Sequence, residues 1–288
     1  MIPIIKKALK RVFSSNRRKQ IRRCIRHIKS FLDPKKKVSL SEIRSILVDD
    51  FELAKGDKII VSSSFGNLNA DFSPKEMVEL LMDIIGPEGL IMMPFYPPVN
   101  STEWALKHEI FDMRNNKSSM GVLTNVFAHM PDVFMSKHPI KAVCAWGKGA
   151  EEIVKDHDKS TTPFYWDSPY GRLLKIHSKS LGVGARNMLP MHTIEDVLTE
   201  PIGFYYQKEK YVLDIIDKDG NRSSVTTFVH DENILSRCVS SNDYIASLNC
   251  KTFKMRKVGY KCLCIIDNDD FYNTCIEHFK KGHTRLKK

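Results

Sequence analysis

The chain has 288 residues, 42% of them hydrophobic and 27% charged, with a formal net charge of +11. That length supports one large domain or two small ones, with enough apolar residues for a substantial core. No apolar run approaches the roughly 18 residues of a membrane span, and the seven cysteines, odd in number and without a CxxC pair, do not read as a disulfide framework. Reduced thiols in a cytoplasmic protein are expected.

The charge is uneven. Residues 1–37 hold fourteen basic residues and one acid, Asp33, a net +13, whereas 38–277 carries −7. Ile5, Leu9, Val12 and Phe13 recur at helical spacing among lysines and arginines, as do Ile21, Ile25, Ile28 and Leu32. This is a basic amphipathic arm. It suits an anionic membrane surface, the body of the protein or a partner subunit, a homodimer included. Nucleic acid is disfavoured, because aromatic stacking residues are nearly absent there. The start "MIPIIKKALK" lacks the apolar stretch of a secretory signal. A cytoplasmic location is the expectation, with a peripheral place on the inner membrane face as one reading of the arm.

Residues 38–288 read as one catalytic-sized domain. "SLSE" (Ser39 to Glu42) is a capping box that opens a helix to about Phe51. The strand "KIIVSSS" follows. A second capping box, Ser73 to Glu76 with Pro74 at the first helical position, opens a helix that stops at "GPEG". The strand "LIMMPF", a long loop from Pro94 to Met120, a helix near 121–130 and a strand near "AVCAWG" come next. A helix at "SPYGRLLKI" leads to the strand "SLGVGA". Alternation of strand and helix predicts an α/β fold with a mixed, partly parallel central sheet flanked by helices. "YVLDIIDKDGNRSSVTTFV" predicts a β-hairpin turning at Asp219-Gly220, an added element near 205–230. "CLC" at Cys262–Cys264 reads as buried strand.

Four stretches carry candidate chemistry. His192 and Glu195 lie three apart at the start of a helix after a strand and a glycine loop. A carboxylate beside an imidazole raises its basicity and fixes its tautomer, which is the wiring of a general base. The spacing alone fits a surface salt bridge as well, but ligands in α/β folds collect at strand ends. HExxH is absent and no metal site is expected. Ser62, Ser63 and Ser64, followed by Phe65 and Gly66, end a strand with hydroxyls and N–H groups able to hold phosphate or pantetheine amides, or simply a polar turn. No GxSxG elbow supports a serine nucleophile. The long loop offers Tyr96 and Asp112. His138, held extended before Pro139, is a site-wall residue or a structural histidine.

In order and spacing these stretches resemble the aminoglycoside 3-N-acetyltransferase family, the antibiotic N-acetyltransferases. "GDKIIVSSSFGNL", "GPEGLIMMPFY", "FDMRNNKSSMGVLTNVFAHMPDVFMSKHPIKAVCAWG" and "SPYGRLLKIHSKSLGVGARNMLPMHTIED" are similar to the family's successive motifs over about 38 to 280. The resemblance implies acetyl transfer from acetyl-CoA to a primary amine by direct attack. It implies His192 as base and Glu195 as its support. Ser62, Ser63, Ser64, Phe65, Ser118, Met120 and Gly121 would line the acetyl-CoA site, and Tyr96, Asp112 and His138 the substrate site. Ser62 and Leu189 stand where the family has histidine and threonine, and Lys117-Ser118 replaces Pro-Thr. These departures and the basic arm point to an amino sugar of a surface-polysaccharide pathway as acceptor. An antibiotic-modifying enzyme and a non-catalytic scaffold of the same fold are the alternatives.

Overall fold

A computed structural model describes residues 37–186, 188–198, 205–239 and 241–285. The basic arm expected over 1–37 lies outside the described residues apart from Lys37. In chain order, helix α1 (Leu40–Ser45) precedes β1 (Lys58–Ser63), α2 (Pro74–Ile85), β2 (Leu90–Phe95), α3 (Ser101–Leu106) and β3 (Phe111–Asp112). Then come α4 (Val122–Phe127), β4 (Phe134–Met135), β5 (Ala142–Gly147), α5 (Ala150–Val154), α6 (Pro169–Leu174), β6 (Lys179–Val183) and α7 (Pro190–Leu198). The chain closes with β7 (Tyr206–Ile216), β8 (Arg222–His230), α8 (Glu232–Arg237), α9 (Ser241–Ser247), β9 (Lys254–Val258), β10 (Lys261–Asp267) and α10 (Asn268–Lys280).

Both capping boxes form. The Ser39 hydroxyl accepts from Glu42 N–H at 3.2 Å while the Glu42 carboxylate accepts from Ser39 N–H at 2.8 Å. Ser73 and Glu76 repeat the exchange at 3.2 and 2.7 Å, and Gly86, at φ 68°, ends α2. The first helix loosens into a π-helical turn over Ile46–Asp50 before Phe51.

The central sheet has seven strands in the order β4-β5-β2-β1-β6-β10-β9. β1 runs parallel to β2 and β6, and the remaining pairs are antiparallel. Strand residues alternate between two cores. Ile59, Val61, Ile91, Met93, Phe95, Leu181 and Val183 pack with α2 and α4 on one face. Ile60, Leu90, Met92, Val143 and Ala145 pack with α5 and α6 on the other, where Cys264 and Ile266 meet α7 and α10. Both faces are covered, so these strands read as continuous apolar runs rather than alternating ones.

After β1 the chain leaves to the α2 face; after β6, the adjacent parallel strand, it leaves to the opposite face in α7. The carboxyl ends of β1 and β6 therefore flank a topological switch point, the place where α/β sheets open a ligand crevice.

The expected hairpin is present, but it is not a peripheral addition. β3, β7 and β8 make a second sheet, with Phe111 and Asp112 parallel to Ile215 and Ile216. Leu213, Ile215, Val225 and Val229 enter the main core. The turn spans 217–221, with Gly220 at φ 89° and the Asp217 carboxylate accepting from Asp219 and Asn221 N–H. The long loop from Pro94 is also more ordered than expected. It contains α3, whose cap Asn100 accepts from Glu103 N–H at 2.8 Å, and strand β3.

Candidate active site

His192 and Glu195 occupy the first two turns of α7, which begins at Pro190 beyond the carboxyl end of β6. Proline suits a first turn because its missing N–H is one that a helix leaves unsatisfied there anyway. The one-turn spacing brings His192 Nδ1 to 3.4 Å from Glu195 Oε2. Nδ1 itself is fully buried and the Glu195 approach is an ion-pair distance without hydrogen-bond geometry; the 27% exposure of the His192 side chain belongs to the rest of the ring. Burial lowers the proton affinity of the imidazole; Glu195 opposes that, and the cations Arg285 and Lys141 add to it. His192 is thus held neutral, the form in which an imidazole accepts a proton.

Glu195 does not hang free. Arg285, near the end of the chain, donates Nε to Oε1 at 2.5 Å and Nη2 to Oε2 at 2.9 Å. This two-pronged geometry fixes the carboxylate plane. The side chains are 6% and 9% exposed. Despite its burial, Glu195 keeps a lowered pKa through His192 and Arg285. The tail that delivers Arg285 is pinned by Val239 N–H on the Arg285 carbonyl at 2.7 Å and by the Tyr244 hydroxyl on the His283 carbonyl at 3.1 Å.

Rings hold the imidazole from its other sides. Phe164 lies 4.9 Å and His230 5.3 Å from His192, centroid to centroid, and His230 stacks on Phe164 at 5.6 Å. Tyr206 and His230 are directly paired at the open end of the β7–β8 hairpin, rings 4.5 Å apart. The hairpin therefore delivers two groups to the site. His230 is held neutral by burial. One turn beyond His192, the buried Asp196 accepts from the Tyr206 hydroxyl at 2.7 Å and from Thr162 Oγ1. Burial pushes its carboxyl up to about 7. These bonds tie α7 to the 162–164 loop and to β7. Lys141 Nζ sits 4.4 Å from the Tyr96 ring centroid and 5.8 Å from that of Phe164.

The residues expected at the acetyl-CoA wall come together at the end of β1. Ser62 is buried. The Ser63 hydroxyl is buried with no hydrogen-bond partner among the described residues. Gly121, at φ 116°, faces it closely: a Cβ there would lie 3.6 Å from the Ser63 carbonyl and 3.7 Å from its hydroxyl. Ser64 N–H donates to the Val183 carbonyl at 2.8 Å, and its hydroxyl accepts from Asn67 Nδ2 at 2.9 Å. Phe65 packs edge-on against Phe72. Ser118 accepts from Met120 N–H at 3.1 Å, and Ser119 N–H donates to the Tyr96 carbonyl at 2.9 Å. Ser63, Ser118, Met120, Gly121 and Tyr96 therefore share one wall.

Two expected substrate residues are engaged elsewhere. The Asp112 carboxylate accepts from Arg114 Nε and Nη2 at 3.0 Å and from Asn115 Nδ2 at 2.9 Å, bonds that hold it well below the usual carboxylate range. It closes a turn at the end of β3. His138 is 1% exposed. Its Nδ1 accepts from Ile140 and Lys141 N–H, so Nε2 carries the proton and donates to Thr227 Oγ1 at 3.1 Å. It is the structural histidine of the two readings. Its neighbour His157, rings 4.5 Å apart, donates Nε2–H to the Pro163 carbonyl and accepts from the Ser136 hydroxyl. Lys141, Phe164, Asp196, Tyr206, His230 and Arg285 were not anticipated.

The fold recurs among solved structures. Aminoglycoside acetyltransferase AAC(3)-IVa in complex with gentamicin superposes with a TM-score of 0.68 at 22% identity, over 86% of this chain and 90% of that one. AAC-IIIb with CoASH does so with a TM-score of 0.68 at 17% identity, over 88% and 100%. In sequence, the SPbeta prophage-derived aminoglycoside N(3')-acetyltransferase-like protein YokD of Bacillus subtilis is 27% identical over 180 residues, 55% of this chain. The match spans 63% of the length of that relative. The aminoglycoside 3-N-acetyltransferase family model matches residues 60–280, which takes in β1, the Ser63 wall, α7 and the hairpin. The chain belongs to the aminoglycoside 3-N-acetyltransferase family.

Proposed function

We propose that this protein transfers an acetyl group from acetyl-CoA to a primary amine of an amino sugar, the class to which aminoglycosides belong, with His192 as general base. The observation that carries this reading is the Arg285–Glu195–His192 arrangement at the switch point: a neutral imidazole backed by a carboxylate that is itself fixed by a guanidinium. Family membership supports the acetyl donor and the kind of acceptor.

An ammonium is not a nucleophile. His192 takes a proton from the acceptor nitrogen as the nitrogen bonds to the thioester carbonyl carbon. The tetrahedral adduct collapses, the C–S bond breaks, and CoA leaves as a thiol once it gains a proton. The imidazolium formed on the way is stabilised by Glu195. General-base help of this kind is typically worth about 10²–10⁴-fold. The buried Ser63 hydroxyl, unpartnered among the described residues, fits an amide or carbonyl of the pantetheine arm. Thiol release from acetyl-CoA with an amino-sugar panel, wild type beside His192→Ala, tests the reading.

A further inference from the structure

Lys141 stands out because it is a cation placed at this site with no ion-pair partner among the described residues. It immediately precedes β5, and its backbone is fixed from two sides. Lys141 N–H donates to His138 Nδ1 at 3.0 Å, and its carbonyl accepts from the Tyr170 hydroxyl at 3.2 Å. Its ammonium rests against the faces of Tyr96 and Phe164 and makes no hydrogen bond or ion pair among the described residues. Glu232 is the acidic group that pulls on it, and only at longer range. His192 and His230, both neutral, flank the same Phe164 ring.

A half-buried ammonium without a counterion is costly to keep in a folded chain. Burial duly lowers the Lys141 pKa, to about 8, which still leaves it charged at neutrality. Among the described residues, the acids around the base are already engaged, Glu195 by Arg285 and Asp196, its carboxyl pushed up by burial, by Tyr206 and Thr162. A polycationic acceptor would meet a positive charge that no described carboxylate contacts; an anionic one would complete the pair.

We propose that Lys141 is a specificity-determining residue, and that it selects an amino-sugar acceptor carrying an anionic group, a phosphate or a carboxylate, close to the amine to be acetylated. The inference rests on the acetyl-transfer reading above and narrows its acceptor. The phosphates of acetyl-CoA are a second source of the same chemistry. They are separated from the thioester by the whole pantetheine arm, whereas Lys141 and the base share one aromatic ring, so the acceptor's anion is the one addressed.

The test compares glucosamine 6-phosphate, glucosamine and kanamycin on the full chain, in wild type, Lys141→Met and Lys141→Arg. Both kcat/KM and calorimetric Kd are read, with the KM for acetyl-CoA alongside. A charge-assisted contact predicts that wild type prefers the phosphorylated sugar over glucosamine by about 10- to 100-fold. It predicts that Lys141→Met removes most of that ratio and Lys141→Arg keeps it. Equal use of the two sugars, a preference for kanamycin, or a ratio that survives Lys141→Met would overturn the proposal. A rise confined to the KM for acetyl-CoA would reassign Lys141 to the donor. Absence of turnover with every acceptor would overturn the acetyl-transfer reading instead, and the Kd ratio would still decide whether Lys141 selects an anion.

Discussion

Arg285→Gln separates a positioning role from a purely structural one. Arg285 and Glu195 are 6% and 9% exposed, and removing one partner of a buried pair destabilises by about 3–5 kcal/mol. Glu195 keeps its His192 contact, so the lower end applies, a fall in Tm of roughly 6–12 °C for a body of this size. The pH profile carries the sharper information. In wild type, burial lowers the His192 pKa, Glu195 raises it, and Arg285 and Lys141 lower it further. Loss of Arg285 removes one downward push and leaves the Glu195 charge less compensated. The imidazole then binds its proton more tightly and is protonated, hence inactive as a base, up to a higher pH. The acidic limb of kcat/KM should move to higher pH in Arg285→Gln and move less in Arg285→Lys. Glu195→Gln removes the upward push and should move the limb the other way. Thiol release from acetyl-CoA between pH 5.5 and 9 reads all three. A uniform loss at every pH, with limbs unmoved, would refute the relay.

Gly184→Ala should destabilise by about 1–3 kcal/mol and impair acetyl transfer. The residue sits at φ 65° at the end of β6, and a Cβ would approach the Ser64 carbonyl to 2.5 Å; thermal melts and KM for acetyl-CoA check this. Stability should fall on acidification from pH 7 towards 4.5. His138, His157, His192 and His230 are all held neutral by burial, so the unfolded chain takes up protons that the folded one refuses. Their contribution is present above the ordinary histidine range and is lost below it. Asp196, at about 7, already binds a proton in the folded chain across the same range and offsets one of them. Urea titrations should show a net uptake of protons on unfolding near pH 5.5, and a flat profile would contradict the buried neutral histidines.

Local chemistry made much of the fold legible. Capping boxes at Ser39 and Ser73, the stop at Gly86 and the Asp-Gly turn announce themselves within a few residues. The His192–Glu195 pair was legible for the same reason, since one helical turn brings the two together. Asp112 and His138 belong to matching motif positions, but each is consumed by neighbours two or three residues away, Arg114 in one case and the Ile140 and Lys141 N–H groups in the other. What could not be read depends on distant pairing. Arg285 is one basic residue in a basic tail until the tail folds back onto α7. His230 and Tyr206 matter because the hairpin register sets them opposite each other, and Lys141 because β5 carries it beneath Tyr96. The hairpin looked peripheral because its alternation describes one strand pair and says nothing of the core it enters.

The measurement that bears most directly on the account is acetyl-CoA turnover with amino sugars and aminoglycosides, comparing wild type with His192→Ala and reading thiol release together with mass shift of the acceptor. The account predicts one added acetyl group per amine acceptor and a loss of about 10²–10⁴-fold in kcat for His192→Ala, with the KM for acetyl-CoA little changed. Turnover that survives His192→Ala undiminished would contradict it.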